Sequence, residues 1–183
     1  MYKSVLNKTW RIKEIPNERI HKIMNKFLLS EVCAKLVSLR TQTEDEVANF
    51  LDPKLRNLLT NPFHLLDMDK AVNGAIDAIH NKKKICILGD YDVDGATSSA
   101  LIKNFFSEIG IDVEVYIPDR MKDGYGPTED VVRKMKDIGT DLIITVDCGA
   151  MAYEPIEFAN KEGMQVIVID HHICAEKLPN ALA

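Results

Sequence analysis

Two rhythms of apolar and polar positions run along this chain. Up to Lys84 the apolar residues recur at helical spacing. Ile20, Ile23, Met24, Phe27 and Leu28 outline one amphipathic helix, and Met68, Ala71, Val72, Ala75, Ile76 and Ile79 outline another between Asp67 and His80. Thr43 with Glu46 three residues on, ahead of Val47, Phe50 and Leu51, is a capping box opening a short helix that Asp52-Pro53 ends. Asn61-Pro62 breaks the chain again.

Beyond Lys84 the apolar residues gather in short runs. Ile85–Leu88, Val113–Ile117, Leu142–Val146 and Val166–Ile169 predict four strands. The first, third and fourth are apolar throughout, as strands covered on both faces are. The helix-length segments Ala96–Ile109, Thr128–Ile138 and Tyr153–Glu162 separate them, followed by Gly110, Gly139 and Gly163, which suit left-handed C-caps. The expected fold is α/β: a mostly parallel sheet of βαβ units over residues 85–183, preceded by a helical N-terminal extension over residues 1–84. The chain has no internal repeat and no low-complexity segment.

Composition narrows the class. With 46% hydrophobic and 28% charged residues, the 183-residue chain has ordinary globular usage. No apolar run approaches the roughly 18 residues of a membrane-spanning helix. Lys3, Lys8, Arg11, Lys13 and Glu14 stand where a secretory core would lie, so no signal peptide, no membrane and a cytoplasmic location are expected. Cys33, Cys86, Cys148 and Cys174 lack C-x-x-C spacing and read as reduced thiols. The net charge of −5 is uneven: residues 1–84 hold 15 basic and 10 acidic side chains, residues 85–183 hold 8 and 18. An acidic half is a poor general surface for phosphate backbones. Gathered at one place, the same carboxylates make a cation site.

In a parallel α/β sheet, sites form beyond the carboxyl ends of the strands. There the chain carries Asp90-Tyr91-Asp92-Val93-Asp94-Gly95, then Pro118-Asp119-Arg120, Asp147-Cys148-Gly149 and Asp170-His171-His172. Any one of these aspartates is well explained as a loop or cap residue. Four strand ends that all deliver aspartate are not. Two carboxylates about 4 Å apart repel by roughly 4 kcal/mol at an effective dielectric near 20. Such a cluster needs bound cations or raised pKa values. Oxygen and imidazole donors without a thiolate motif favour Mn²⁺ or Mg²⁺, and a pair of such ions suits hydrolysis of a phosphate ester.

Other motifs compete for the same residues. Asp90-x-Asp92-x-Asp94-Gly95 copies the opening of a calcium loop, but position 12 falls on Leu101. Asp92-Val-Asp94-Gly-Ala-Thr97 is similar to the nucleophile loop of haloacid-dehalogenase-type phosphatases, with Asp92 as nucleophile; this is the alternative reading. Phosphate-loop, dinucleotide, zincin and nucleophile-elbow signatures are absent.

Asp170-His171-His172 after an apolar strand, with the Asp90–Gly95 and Asp147–Gly149 motifs upstream, resembles the DHH phosphoesterase superfamily. Gly89–Ser98, Tyr116–Arg120, Asp123-Gly-Tyr-Gly126, Phe50–Pro53 and Asn61–Met68 resemble its RecJ branch, single-strand-specific 5′→3′ DNA exonucleases of repair and recombination. The resemblance implies a DHH-type, Rossmann-like fold and two Mn²⁺ or Mg²⁺ ions. It assigns Asp92, Asp94, Asp147, His171 and His172 to the metals, and makes Asp90 either a metal ligand or a carboxylate just behind the ligands, with Asp147 bridging and His172 binding metal or the scissile phosphate; Asp147 and His172 are the catalytic pair. Asp170 orients the histidines, and Arg120 and Tyr125 either face the phosphate or brace their loop. Some members carry histidine where this chain has Leu88, so that metal shell must be completed differently here.

Chains of this branch are several times longer, with a fourth aspartate motif, a second domain and an OB-type domain that grips the strand. On that comparison residues 85–183 are a DHH domain truncated at its C-terminus. Single-stranded DNA is then held mostly by regions outside this sequence. The missing C-terminal part or other repair proteins are the implied partners. An inactive remnant that binds metal without hydrolysing anything is the other alternative.

Overall fold

The computed structural model describes residues 2–11 and 13–183. The chain divides into two compact units, Met1–Asn61 and Pro62–Ala183. The division falls at the predicted Asn61-Pro62 break, ahead of the 84/85 boundary expected from the change of rhythm. The reason is the helix before the first long strand, whose Ala71, Ala78 and Ile79 pack into the sheet's core.

In the first unit, β1 (Tyr2–Lys3) and β2 (Thr9–Trp10) pair antiparallel, a hairpin within the segment expected to be helical. Four helices come next: α1 (Asn17–Phe27), α2 (Glu31–Ser38), α3 (Glu44–Leu51) and α4 (Leu55–Leu58). Ile20 and Ile23 of α1 meet Ala34 and Val37 of α2 and Val47 of α3 in a small core. Leu28, expected on the buried face of α1, is instead its left-handed C-cap (φ 54°) and is exposed to solvent. Thr43 caps α3, its hydroxyl accepting from Glu46 N at 3.2 Å, while Glu46 reaches past the capping residue to accept from Gln42 N at 2.5 Å.

The second unit opens with a short 3₁₀ turn at Pro62–His64 and α5 (Met68–His80). It continues β3 (Ile85–Gly89), α6 (Val93–Glu108), β4 (Glu114–Tyr116), α7 (Glu129–Asp137), β5 (Leu142–Val146), α8 (Tyr153–Lys161) and β6 (Gln165–Ile169). The four strands form one sheet, all parallel, in the order β4-β3-β5-β6, as the repeated strand–helix–strand pattern predicts. Gly110, Gly139 and Gly163 take positive φ after their helices.

The strands' two-residue alternation divides the core between the faces. Ile85, Ile87, Leu142, Ile144, Val146 and Ile167 pack with Ala78 of α5 and Phe106 of α6. Cys86, Leu88, Ile143 and Val166 pack with Val131, Val132 and Met135 of α7 and Ile156 and Ala159 of α8. Leu182 N donates to Val166 O at 2.8 Å and Val168 N to Ala183 O at 3.0 Å, so these residues lie along β6.

From β3 the chain passes outward to β4, then back across β3 to β5. Strand order reverses between β3 and β5, where open α/β sheets bind ligands.

Candidate metal centre

Strand register builds the site. Gly89 pairs with Val146 and Val146 with Ile169. The next residues, Asp90, Asp147 and Asp170, therefore stand level at the carboxyl ends of three adjacent strands. Each is then turned differently.

Asp90 is buried, and its Oδ1 accepts from Tyr91 N at 2.7 Å. Asp92 begins α6, its Oδ1 accepting from Gly95 N at 2.9 Å; that bond leads the causes holding its carboxyl below the ordinary value. The helix starts three residues earlier than its apolar pattern suggested because this cap fixes it. Gly95 makes the turn possible: a Cβ there would stand 2.3 Å from Asp90 O and 2.6 Å from Asp90 N.

Asp147 is buried and left-handed (φ 60°), and its Oδ1 lies 3.0 Å from His171 Nε2. Burial first, and then the Asp92 carboxylate, push its carboxyl above the ordinary value, against the opposing pull of His171. Asp170 is the hub of the last loop. Its Oδ1 accepts from His171 N (2.7 Å), His172 N (3.0 Å) and His172 Nδ1 (2.7 Å), and its Oδ2 from Ala150 N (2.9 Å). Burial raises its carboxyl, but these donors outweigh that and leave it lowered. In return the hydrogen bond that His172 donates to Asp170 raises its imidazole.

Among the described residues two groups of potential ligands result: Asp90, Asp92 and Asp147, and Asp147, His171 and His172, the donor atoms of each within 4.8 Å of one another. Asp147 belongs to both. Asp94, exposed on the first turn of α6, stands in neither. Leu88, where some members carry histidine, is fully buried in the core.

The donor set fits hard divalent ions. It offers carboxylate oxygen and imidazole nitrogen without a thiolate. Cys148, the nearest thiol in sequence, is buried with Sγ 3.7 Å from Leu88 O, and burial pushes it up to about 12. Three converging carboxylates, one already raised, lose their mutual repulsion when a cation sits among them.

The Pro118–Gly126 loop covers one side. Arg120 lies over the Tyr91 ring (5.3 Å), and Tyr125 meets both Tyr91 (6.2 Å) and His172 (6.4 Å) edge to face. Tyr91 carries no signal of this role in the sequence, although it sits between two aspartates of the motif. A cleft of about 240 Å³ opens beside His172, lined by Tyr125, Pro127, Gly149, Met151 and Asp170.

Residues 84–183 match the model of the DHH family, N-terminal domain. The chain belongs to the DHH family. It is 34% identical over 175 residues to the single-stranded-DNA-specific exonuclease RecJ of Bacillus subtilis, covering 95% of this chain and 22% of that protein. It is 38% identical over 132 residues to the RecJ of Haemophilus influenzae, covering 72% and 23%. Among solved structures it is similar to exonuclease RecJ bound to manganese, with a TM-score of 0.58 at 34% identity over 62% of this chain and 29% of that one. RecJ from Thermus thermophilus in complex with Mn²⁺ gives 0.60 at 26% identity over 93% and 24%. The chain thus spans between about a fifth and a third of these DHH relatives. The dehalogenase-type reading of Asp92 gains no support, because the family matched is a different one. Among the described residues no helix is long and apolar enough to cross a membrane.

Proposed function

We propose that this chain is the N-terminal, metal-binding catalytic part of a phosphodiesterase that hydrolyses single-stranded DNA, with two Mn²⁺ or Mg²⁺ ions. The observation that carries the reading is that Asp147 is common to both ligand groups, as a carboxylate bridging two ions would be. The RecJ relatives are single-stranded-DNA-specific exonucleases, and two solved RecJ structures hold manganese. The 5′→3′ polarity, a role in DNA repair and recombination and a cytoplasmic location are part of the same proposal, by resemblance. So are further contacts to DNA or to repair proteins outside this sequence.

Asp90, Asp92 and Asp147 would hold one ion, and Asp147, His171 and His172 the other, with Asp94 the remaining acidic residue of the motif. Bound divalent ions supply Lewis acidity and a more acidic water. The chain's own groups do the positioning. Asp170 takes the Nδ1 side of His172 and leaves Nε2 as its free ring nitrogen, to bind metal or to donate a proton to a phosphate oxygen. His171 is held through Asp147. Tyr125 and Arg120, on the covering loop, pack on Tyr91 and would either meet the strand or brace that loop.

The test is incubation of the chain with 5′-labelled single-stranded DNA and Mn²⁺ beside Asp147→Ala. Label lost by the wild type alone supports the reading. Failure of the wild-type chain to bind Mn²⁺ overturns it.

A further inference from the structure

A half-buried carboxylate beside the site belongs to neither ligand group. Asp123 is on the covering loop, yet its side chain turns from the metal centre toward α7. Its Oδ1 accepts from Lys134 Nζ at 2.6 Å, and its Oδ2 accepts from Tyr116 Oη and Asp119 N, both at 3.0 Å. Lys134 Nζ also donates to Tyr116 Oη at 3.1 Å. The carboxylate side chain is 9% exposed. An exposed ion pair contributes little by itself. This one closes a network that ties the loop to both the β4 strand and the α7 helix.

After Asp123 the chain turns through an exposed Gly124 and a buried Gly126. Tyr125 is flanked by Gly124 (φ 82°) and Gly126 (φ 66°), and a Cβ on Gly124 would meet nothing within 4 Å. The tyrosine is therefore carried on an arm with a glycine joint at each side. Its ring nonetheless stands edge to face against His172 and Tyr91, and lines the 240 Å³ cleft. The side-chain anchor immediately before the first joint is Asp123.

We infer that Asp123 is a positioning residue: clamped by Lys134 and Tyr116, it fixes the arm that sets Tyr125 against His172 and so shapes the cleft beside the metal centre. The meaning of that cleft as the substrate side rests on the phosphodiesterase reading above. The Lys134 hydrogen bond, with Asp119 N next, holds the Asp123 carboxyl below its ordinary value, so the clamp stays charged at neutral pH.

The ring protons of His172 report on the clamp by NMR in the metal-free 183-residue chain, since Tyr125 imposes a ring-current shift on them. Tyr125→Leu defines the position of those resonances without the ring, and His172→Gln assigns them. Asp123→Asn and Lys134→Met are each expected to move them at least half-way toward the Tyr125→Leu position. Lys134→Arg, which keeps the charge, is expected to leave them near the wild type. In the Tyr125→Leu background Asp123→Asn adds no further shift. His172 resonances unmoved in folded Asp123→Asn or Lys134→Met overturn the inference, whatever happens to melting temperature; Lys134→Met serves alone if Asp123→Asn does not fold. Mn²⁺ affinity, measured in parallel, stays within about twofold in Lys134→Met. A wild type that binds no Mn²⁺ refutes the phosphodiesterase reading and leaves the resonance comparison to decide the clamp.

Discussion

Asp147 Oδ1 and His171 Nε2 are 3.0 Å apart, joining the ends of β5 and β6 through two side chains that each offer a metal-binding atom. The bond holds the metal-free site together, but it leaves a buried carboxylate facing Asp92. Because burial and Asp92 raise the folded-state pKa of Asp147, its ionised form opposes folding. That penalty is absent at low pH and grows as pH rises through the raised value.

The first prediction rests on that sign. Asp147→Asn raises the melting temperature of the metal-free chain at neutral pH. It also abolishes stabilisation by Mn²⁺, which in the wild type reaches about 2.7 kcal/mol at 100 times the dissociation constant. Thermal unfolding with and without Mn²⁺ measures both. Stabilisation that survives in Asp147→Asn would show that Asp147 is not the shared ligand.

The second concerns Gly95, a helix residue where alanine would ordinarily stabilise by about 1 kcal/mol. Here the added Cβ meets the Asp90 backbone at 2.3–2.6 Å, and backbone cannot swing away as a side-chain tip can. Gly95→Ala is expected to destabilise by about 1–3 kcal/mol and to weaken Mn²⁺ binding, by displacing Asp90 from Asp92. Denaturant unfolding together with calorimetry decides it. A stabilised variant would mean that the turn relaxes freely.

Much of the site is legible in the sequence because a parallel sheet turns order along the chain into place. The apolar runs locate three of the strand ends closely, and parallel register makes Asp90, Asp147 and Asp170 level without further information. The loops beyond the strands are less legible. The resemblance assigns Asp90, Asp92 and Asp94 to the metal site together. With α6 beginning at Val93, Asp94 is carried onto the helix's first turn and is in neither group. Asp123 and Lys134 are 11 residues apart across a loop with no periodicity, so their pairing has no local signature. Similarly, the apolar spacing that placed Leu28 on a helix face cannot foresee that the helix ends there in a left-handed turn.

The cysteines divide by burial. Burial pushes the Cys86 thiol up to about 11 and the Cys148 thiol up to about 12, whereas Cys33 and Cys174 are exposed. Since the thiolate is the reactive form, a thiol reagent at neutral pH should modify Cys33 and Cys174 rapidly in the native chain, and all four cysteines in denaturant. Mass spectrometry of the labelled peptides checks this. Rapid native labelling of Cys148 would show that the loop after β5 opens easily.

The last prediction separates the two duties of Asp170, which accepts three backbone amides as well as the His172 ring. Asp170→Ala leaves those donors without their acceptor, each loss costing about 1–3 kcal/mol where the donor is buried. His171 and His172 are exposed, so their amides can turn to water, and the variant is expected to lose about 1–3 kcal/mol, mainly through the half-buried Ala150 amide, at any pH where the wild-type carboxyl is ionised. Asp170→Asn removes the charge and keeps one acceptor oxygen, which can serve the histidine donors at the loss of the Ala150 N bond, so the pH dependence of its stability, and not the size of the loss, reports the electrostatic part. The folded-state pKa of His172 is raised, and the Asp170 bond leads the causes. The stability this pair contributes is fully present below the ordinary histidine value and is lost as pH rises through the raised folded value. The stability difference between wild type and Asp170→Asn should accordingly shrink across that window, and the His172 titration observed by NMR should move down in the variant. A difference that stays flat through the histidine range, with an unmoved His172 titration, would mean that Asp170 holds the loop through its backbone donors alone and does not tune the histidine.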